Sequence, residues 1–268
     1  LSQVFIYQVT YRSSQVQKIE AKEINMISAK LVGLTQPMNI EAQTAEELIA
    51  YAARVSNPSN QNNHKTAKRL LEYCIDHKHW SVFEMANAVV EVIAPRDITR
   101  QMLRHRSLSF SEFSQRYSDE IKTTPRKYRR QDLSNRQHSI DDLDIETTYR
   151  ADVLQRRVGR AAIDAYDELR RSGVAKECAR VLLPEGLTMS RMYVNGTLRS
   201  WMHYLEVRDD SATQLEHMNL AQAIRSALEP AFPIILGVDI GDTINKNVRP
   251  FTTEERGRAK DRAEKNTG

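Results

Sequence analysis

Residues 87–118 read NAVVEVIAPRDITRQMLRHRSLSFSEFSQRYS, and the pattern changes three times along them. Asn87–Ala94 is β-branched and apolar, the composition of a strand buried on both faces. Pro95 has no amide hydrogen and suits the first position of a helix. That helix is expected to run through Ile98, Gln101 and Met102 to about His105. From Ser107 to Ser111 serine alternates with Leu108 and Phe110, a period of two that signals extended chain. At the junction Arg104, His105 and Arg106 stand side by side, and Ser114, Arg116 and Tyr117 follow. Arginine forks match phosphate and carboxylate geometry, and hydroxyls complete the shell around an anion. The segment reads as a pocket for a phosphorylated, planar ligand.

Strands and helices alternate on either side. Ala29–Leu34 reads as a strand. Thr44, with Glu47 three residues on, forms a capping box ahead of the amphipathic run AEELIAYAARVS. Lys65–Lys78 repeats the helical pattern through Ala67, Leu70, Leu71, Cys74 and Ile75. Asp119–Asp144 is polar and charged and reads as a long surface loop, functional or disordered. Tyr149–Arg171 is a helix stopped at Gly173, and Lys176–Leu183 a short one halted by Pro184. Thr188–Val194 is a strand; Leu198–Val207 and Thr213–Leu228 are helices. This order predicts an α/β chain of the α+β type, with a central mixed or antiparallel sheet flanked by helices. No glycine-rich phosphate loop joins a strand to a helix, so the fold is expected to be non-Rossmann. Residues 1–25 read as an upstream extension or expression remnant, in which Val4–Val9 could form an edge strand. Residues 241–268 read as a charged, disordered tail.

At 268 residues, 40% hydrophobic and 28% charged, the chain can bury a full core. No run approaches the length of a membrane span. Two cysteines, Cys74 and Cys178, exclude a disulfide scaffold and suit a reducing, cytoplasmic compartment. The net charge of +4 fits nucleic acid or nucleotide-sized anions equally well.

Arg100 and Arg104 lie four apart on one helix face, where they repel unless an anion or carboxylate sits between them. His105, flanked by arginines, should stay neutral. Glu112 reads as a counterion for these arginines in preference to a base. Cys74 falls on an apolar stripe and reads as core. Cys178 stands beside Arg180 without a clear chemical role. Arg180 could bridge Glu177 at i,i+3, and Arg208 could pair with Asp209 or Asp210. None of the seven histidines has partners at a ligand spacing, and His77 and His79, two apart, would diverge on a helix; no metal is expected.

Arg104-His105-Arg106, seven residues and then Ser114 resembles the signature of the flavin-dependent thymidylate synthases, and the likeness continues into Gln115-Arg116-Tyr117-Ser118. Companion blocks follow the family order. Ala52–Ser56 resembles its early flavin-contacting turn, and His77–Glu84 its His-x-(Ser/Thr)-x-Phe-Glu block. Glu177–Arg180 with Leu183-Pro184 resembles its arginine-bearing helix. Leu198–Arg208, followed by Gln214, resembles its C-terminal block. The resemblance spans about residues 26–240 and implies one domain with the thymidylate synthase-complementing fold.

The resemblance implies flavin (FAD) contacts at Ser56, Ser81, Glu84, Arg104, His105, Arg106, Ser111, Glu112 and Thr197, with Arg199 and His203 reaching FAD from another subunit. It implies a deoxyuridine monophosphate (dUMP) site at Gln101, Arg104, Glu112, Ser114, Gln115, Arg116, Arg180 and Arg208. Arg208, His79 and Tyr117 take the catalytic positions. Ser111 stands where many relatives carry asparagine, and Thr197 lies near a second such position. The implied reaction is reductive methylation of dUMP, with methylenetetrahydrofolate as carbon donor, FAD reduced by NADPH as hydride source and no cysteine nucleophile. A homotetramer with shared sites is implied, and neither nucleic acid nor membrane. The alternatives are a nucleic-acid-binding protein using Arg104–Arg106, Arg126–Arg130 and the basic tail, or another nucleotide or folate enzyme on the same scaffold.

Overall fold

The computed structural model describes residues 27–118 and 120–237. The candidate strand Val4–Val9 and the tail 241–268 lie outside the described residues. The described chain divides into two units, 27–35 with 87–228 and 36–86 with 229–237.

The first unit is built on four antiparallel strands: β1 (Ser28–Leu34), β2 (Asn87–Pro95), β3 (Ser109–Glu112) and a strand at Met189–Thr197, in the order β1, β2, Met189–Thr197, β3. Every pairing is antiparallel, so the sheet is antiparallel and not mixed. In β2, Ala88, Val90, Val92 and Ala94 are fully buried, while Val89, Glu91 and Ile93 are only half-buried. The strand is therefore closed on one face, not on both as its composition predicts. An antiparallel sheet packed on one side alternates in this way.

Pro95 ends β2 and precedes α3 (Arg96–Met102) as its cap, one position earlier than expected. The helix stops at Met102, short of His105, and the Arg104–Arg106 run falls on a tight turn closed by Leu108 N–H donating to the His105 carbonyl at 3.1 Å. The expected 119–144 loop is instead anchored. It holds a small hairpin, β4 (Arg130–Gln131) and β5 (Ser139–Ile140), and Met189 N–H donates to the Lys122 carbonyl at 2.8 Å. α4 (Ile145–Arg171) begins earlier than predicted because Asp144 caps it, accepting from Thr147 N–H at 2.8 Å. Gly173 follows with φ 84°, the left-handed conformation that glycine adopts freely. The predicted 176–183 helix divides into α5 (Lys176–Ala179) and a 3₁₀ turn over Arg180–Leu182.

The Met189–Thr197 strand is β6, starting one residue later and ending three residues later than predicted, and α6 (Leu198–Arg208) follows it directly. Leu198, Trp201, Tyr204 and Leu205 are fully buried. Trp201 Nε1–H donates to the Ala88 carbonyl at 3.1 Å, tying α6 to β2. A Cβ at Gly196 would lie 2.3 Å from Leu108 Cδ2, so any larger residue there would displace the end of that side chain. α7 (Leu215–Leu228) completes this layer through Leu220, Ala221, Ile224 and Leu228.

The second unit contains α1 (Ala45–Ala53) and α2 (Ala67–Asp76). The capping box forms as read: Thr44 Oγ1 accepts from Glu47 N–H at 3.1 Å, and Glu47 Oε2 from Gln43 N–H at 2.7 Å. The buried Glu46 carboxylate accepts Ile234 and Ile235 N–H at 2.9 and 2.8 Å; burial still pushes its pKa up, against those two bonds. Cys74 is core as expected, and burial raises its thiol pKa.

Candidate active site

In the first unit the turn after α3 brings His105 against α6. Arg208 Nε–H donates to His105 Nε2 at 2.9 Å, and the His105 ring meets Tyr204 edge-on at 5.0 Å. Burial, then the Arg208 charge, then His203 pull the His105 pKa from its ordinary 6.5 down to about 4. The sequence reading predicted a neutral His105 but credited its two neighbours in the chain; burial and Arg208 act instead. The pairing also settles Arg208, which reaches inward while Asp209 is held by Arg225 at 2.7 Å.

Arg100 does not stack against Arg104. It lies 3.7 Å from Glu112 and 3.2 Å from Glu185. Glu112 Oε1 also accepts from Ser190 Oγ at 2.7 Å and sits 3.6 Å from Arg96. Glu112 is therefore a counterion, as read, although its arginines are Arg96 and Arg100. Arg104 and Arg106 are exposed and have no ion pair among the described residues. Beyond β3, Ser114 Oγ accepts from Arg116 N–H at 3.3 Å, Gln115 is buried and Tyr117 is exposed. Arg116 Nε pairs with Glu177 at 3.1 Å, so Glu177 bridges to Arg116 rather than to Arg180.

Gln101 Nε2 donates to Gln214 Oε1 at 2.8 Å, and its Oε1 meets buried His217 Nδ1 at 3.2 Å. Thr197 Oγ1 caps α6, accepting from Ser200 N–H at 3.2 Å. Arg199 and His203 are exposed on α6, with His203 Nδ1 3.8 Å from Glu206.

In the second unit Ser56, Ser81, Glu84 and His79 are all exposed. His77 and His79 are not on a helix and do not diverge. Both follow α2, their rings 6.0 Å apart, and Tyr73 stacks on His77 at 3.9 Å. Arg54 is buried; its Nη2 donates to Thr66 Oγ1 at 2.8 Å, while Nη1 has no partner.

A family model described as thymidylate synthase complementing protein matches residues 39–234. The chain belongs to this family. A probable flavin-dependent thymidylate synthase of Paramecium bursaria Chlorella virus 1 is 47% identical over 78% of this chain and 97% of its own length. The flavin-dependent thymidylate synthase of Synechocystis sp. is 42% identical over the same shares. The chain is thus a member of the flavin-dependent thymidylate synthases. A crystal structure of the UMP/dUMP methylase PolB from Streptomyces cacaoi bound with 5-Br UMP superposes with a TM-score of 0.66 at 25% identity, covering 80% of this chain and 93% of that one.

Against the family reading, the structure gathers Gln101, His105 and Arg208 about α6 and α7, and Arg116 with Glu177 at α5. Arg180 is half-buried on the turn that ends α5. Sequence reasoning missed Tyr204, His217 and Glu216, and it read Arg126 and Arg129 without the Glu216 carboxylate that they meet. His217 was legible only as a histidine on the apolar face of α7. Glu216 had no local signal, because its partners lie on the hairpin segment. Among the described residues no helix is long and apolar enough to cross a membrane.

Proposed function

We propose that the protein converts dUMP to dTMP, taking carbon from methylenetetrahydrofolate and hydride from FAD that NADPH has reduced. The residues fit an anionic, planar cofactor. Arg104 and Arg106 keep exposed guanidinium groups without a carboxylate among the described residues. In the family pattern Ser56, Ser81, Glu84, Arg104, His105, Arg106, Ser111, Glu112, Arg199 and His203 hold the flavin. Thr197 also belongs to that set, although its hydroxyl serves as a helix cap here.

The carrying observation is the Arg208–His105 pair. With His105 neutral, the pair holds one positive charge, and the lone pair on Nε2 is spent in orienting Arg208. The terminal Arg208 nitrogens then serve the uracil oxygens, where a fixed cation stabilises negative charge as the ring becomes nucleophilic. Arg116 and Arg180 hold the nucleotide with Gln101, Ser114 and Gln115. The substrate phosphate replaces the Glu177 carboxylate on Arg116. His79 and Tyr117 shape the folate side. Cys74 is buried on α2 and takes no part; Cys178→Ser keeps full turnover. Shared sites in a homotetramer fit α4, which exposes Ile145, Tyr149 and Val153 at i, i+4 and i+8.

Purified protein given FAD is expected to show a flavin absorbance band that NADPH bleaches. A chain that takes up no flavin would sink the reading. Arg116→Ala is expected to weaken dUMP binding about tenfold or more. Its melting temperature stays unchanged, because the Arg116–Glu177 pair is half-exposed on both sides. Unaltered dUMP affinity would remove Arg116 from the site.

A further inference from the structure

A line of polar side chains runs behind Gln101 in the first unit. Tyr204 Oη meets His217 Nε2 at 3.1 Å, and His217 Nδ1 meets Gln101 Oε1 at 3.2 Å. Gln101 Nε2 lies 2.8 Å from Gln214 Oε1, and Gln214 Nε2 lies 3.0 Å from Glu216 Oε2. Glu216 in turn accepts from Arg129 Nη1 and Nη2 at 2.8 and 3.1 Å and lies 3.4 Å from Arg126. Tyr204 and His217 are fully buried, and the Glu216 side chain is 12% exposed.

The direction of donation along this line is forced from the Glu216 end. A carboxylate pinned by two arginines only accepts, so Gln214 must turn its NH₂ toward it. Gln214 Oε1 then accepts from Gln101 Nε2, and Gln101 Oε1 must accept from His217 Nδ1–H. His217 is left to accept the Tyr204 hydroxyl proton at Nε2. Each step is a choice of amide face or ring tautomer, and one carboxylate settles all of them. His217 is also kept neutral, its pKa lowered from 6.5 to about 3 by burial, then by Arg208 and His105.

We propose that Glu216 is a positioning residue that, through Gln214, fixes the carboxamide of Gln101 so that its second N–H is presented to a nucleotide phosphate. That N–H has no partner among the described residues. A flipped amide would offer a carbonyl oxygen in its place and repel an oxyanion. The inference rests on the reading of Gln101 as part of the nucleotide site.

Gln214→Met cuts the line while leaving Glu216 with its arginines, so the fold is kept. It is expected to raise the Kd for dUMP about tenfold with flavin uptake unchanged. In ¹⁵N spectra His217 is expected to be a single Nδ1–H tautomer in the parent and a mixture in Gln214→Met, a change that a purely structural role would not produce. Gln101→Met serves as the reference and should weaken dUMP by at least as much. If Gln101→Met binds dUMP normally, Gln101 is not in the site, and both that assignment and the positioning role fall. If Gln101→Met weakens binding while Gln214→Met keeps parental affinity and a single tautomer, only the positioning role falls.

Discussion

Two arginine-rich stretches, Arg104–Arg116 and Arg126–Arg130, look alike in composition and are used in opposite ways. In the second, Arg126 meets Asp97 at 2.9 Å, Lys127 meets Asp141 at 2.5 Å, Arg129 meets Glu216 at 2.8 Å and Arg130 meets Asp142 at 2.7 Å. In the first, Arg104 and Arg106 lack an ion pair among the described residues, and Arg116 is held only by half-exposed Glu177. A buried, paired arginine cannot take a phosphate without stranding its carboxylate, which is strongly destabilising. Basic residues therefore mark an anion site where the fold leaves them without a counter-carboxylate or, as at Arg116, with an exposed one that a phosphate can replace. By this criterion Arg126 and Arg129, whose side chains are 16% and 11% exposed, belong to the scaffold.

The largest effect is expected at Arg208. Arg208→Ala should lower dTMP formation by about a hundredfold or more, the size seen when a fixed donor to developing charge is lost. The His105 pKa should rise from about 4 only part of the way to 6.5, because burial, the first of its causes, remains. Turnover within a few-fold of the parent would remove Arg208 from the reacting ring, and a His105 pKa that does not move would show that the Arg208 charge does not act on it.

Much of this was legible in the sequence, and the failures share one cause. The capping box at Thr44, the α6 and α7 spans and the end of α4 at Gly173 depend on neighbours within a turn, and they formed nearly as read. β2 was misread because Val and Ile dominate it; Glu91, half-buried among them, was the one sign of an open face. The hairpin strands hold two residues each, too few for any periodicity. Arg129 and Glu216 are 87 residues apart, so no spacing rule connects them. The family pattern named Gln101 and Arg208, and only the fold could place His217 and Glu216 in line with Gln101.

An intermediate effect should appear with acid. Burial pushes the Glu216 pKa up, but the Arg129 hydrogen bonds, with help from Arg126, bring it down from 4.5 to about 2. A depressed carboxylate gives stability that is complete above 4.5 and lost as pH falls toward 2. His105 and His217 are also depressed, from 6.5 to about 4 and about 3, so the unfolded chain binds their protons first and their contribution fades below 6.5. The melting temperature should thus decline in two stages between pH 7 and 2.5. Glu216→Gln should shrink the lower stage and leave the upper one, since Asp132, Asp142 and Asp144 are also depressed but exposed. A single-stage decline in the parent would show that the hairpin anchor is not held by this carboxylate.

The smallest effect is expected at Arg130. Its pair with Asp142 is bidentate, at 2.8 and 2.7 Å, but both side chains are nearly half-exposed, 41% and 46%. Solvent and salt screen such a pair, and its net contribution is small. Arg130→Ala should leave dUMP affinity within about twofold of the parent and the melting temperature nearly unchanged. The value of the measurement lies in its contrast with Arg116→Ala, which removes the same charge from another arginine held by a half-exposed carboxylate. If the two variants lose nucleotide to the same extent, net charge alone would govern binding, and the placement of carboxylates would explain nothing. If only Arg116→Ala loses it, the geometry of the counter-charges decides which arginines an anion can reach.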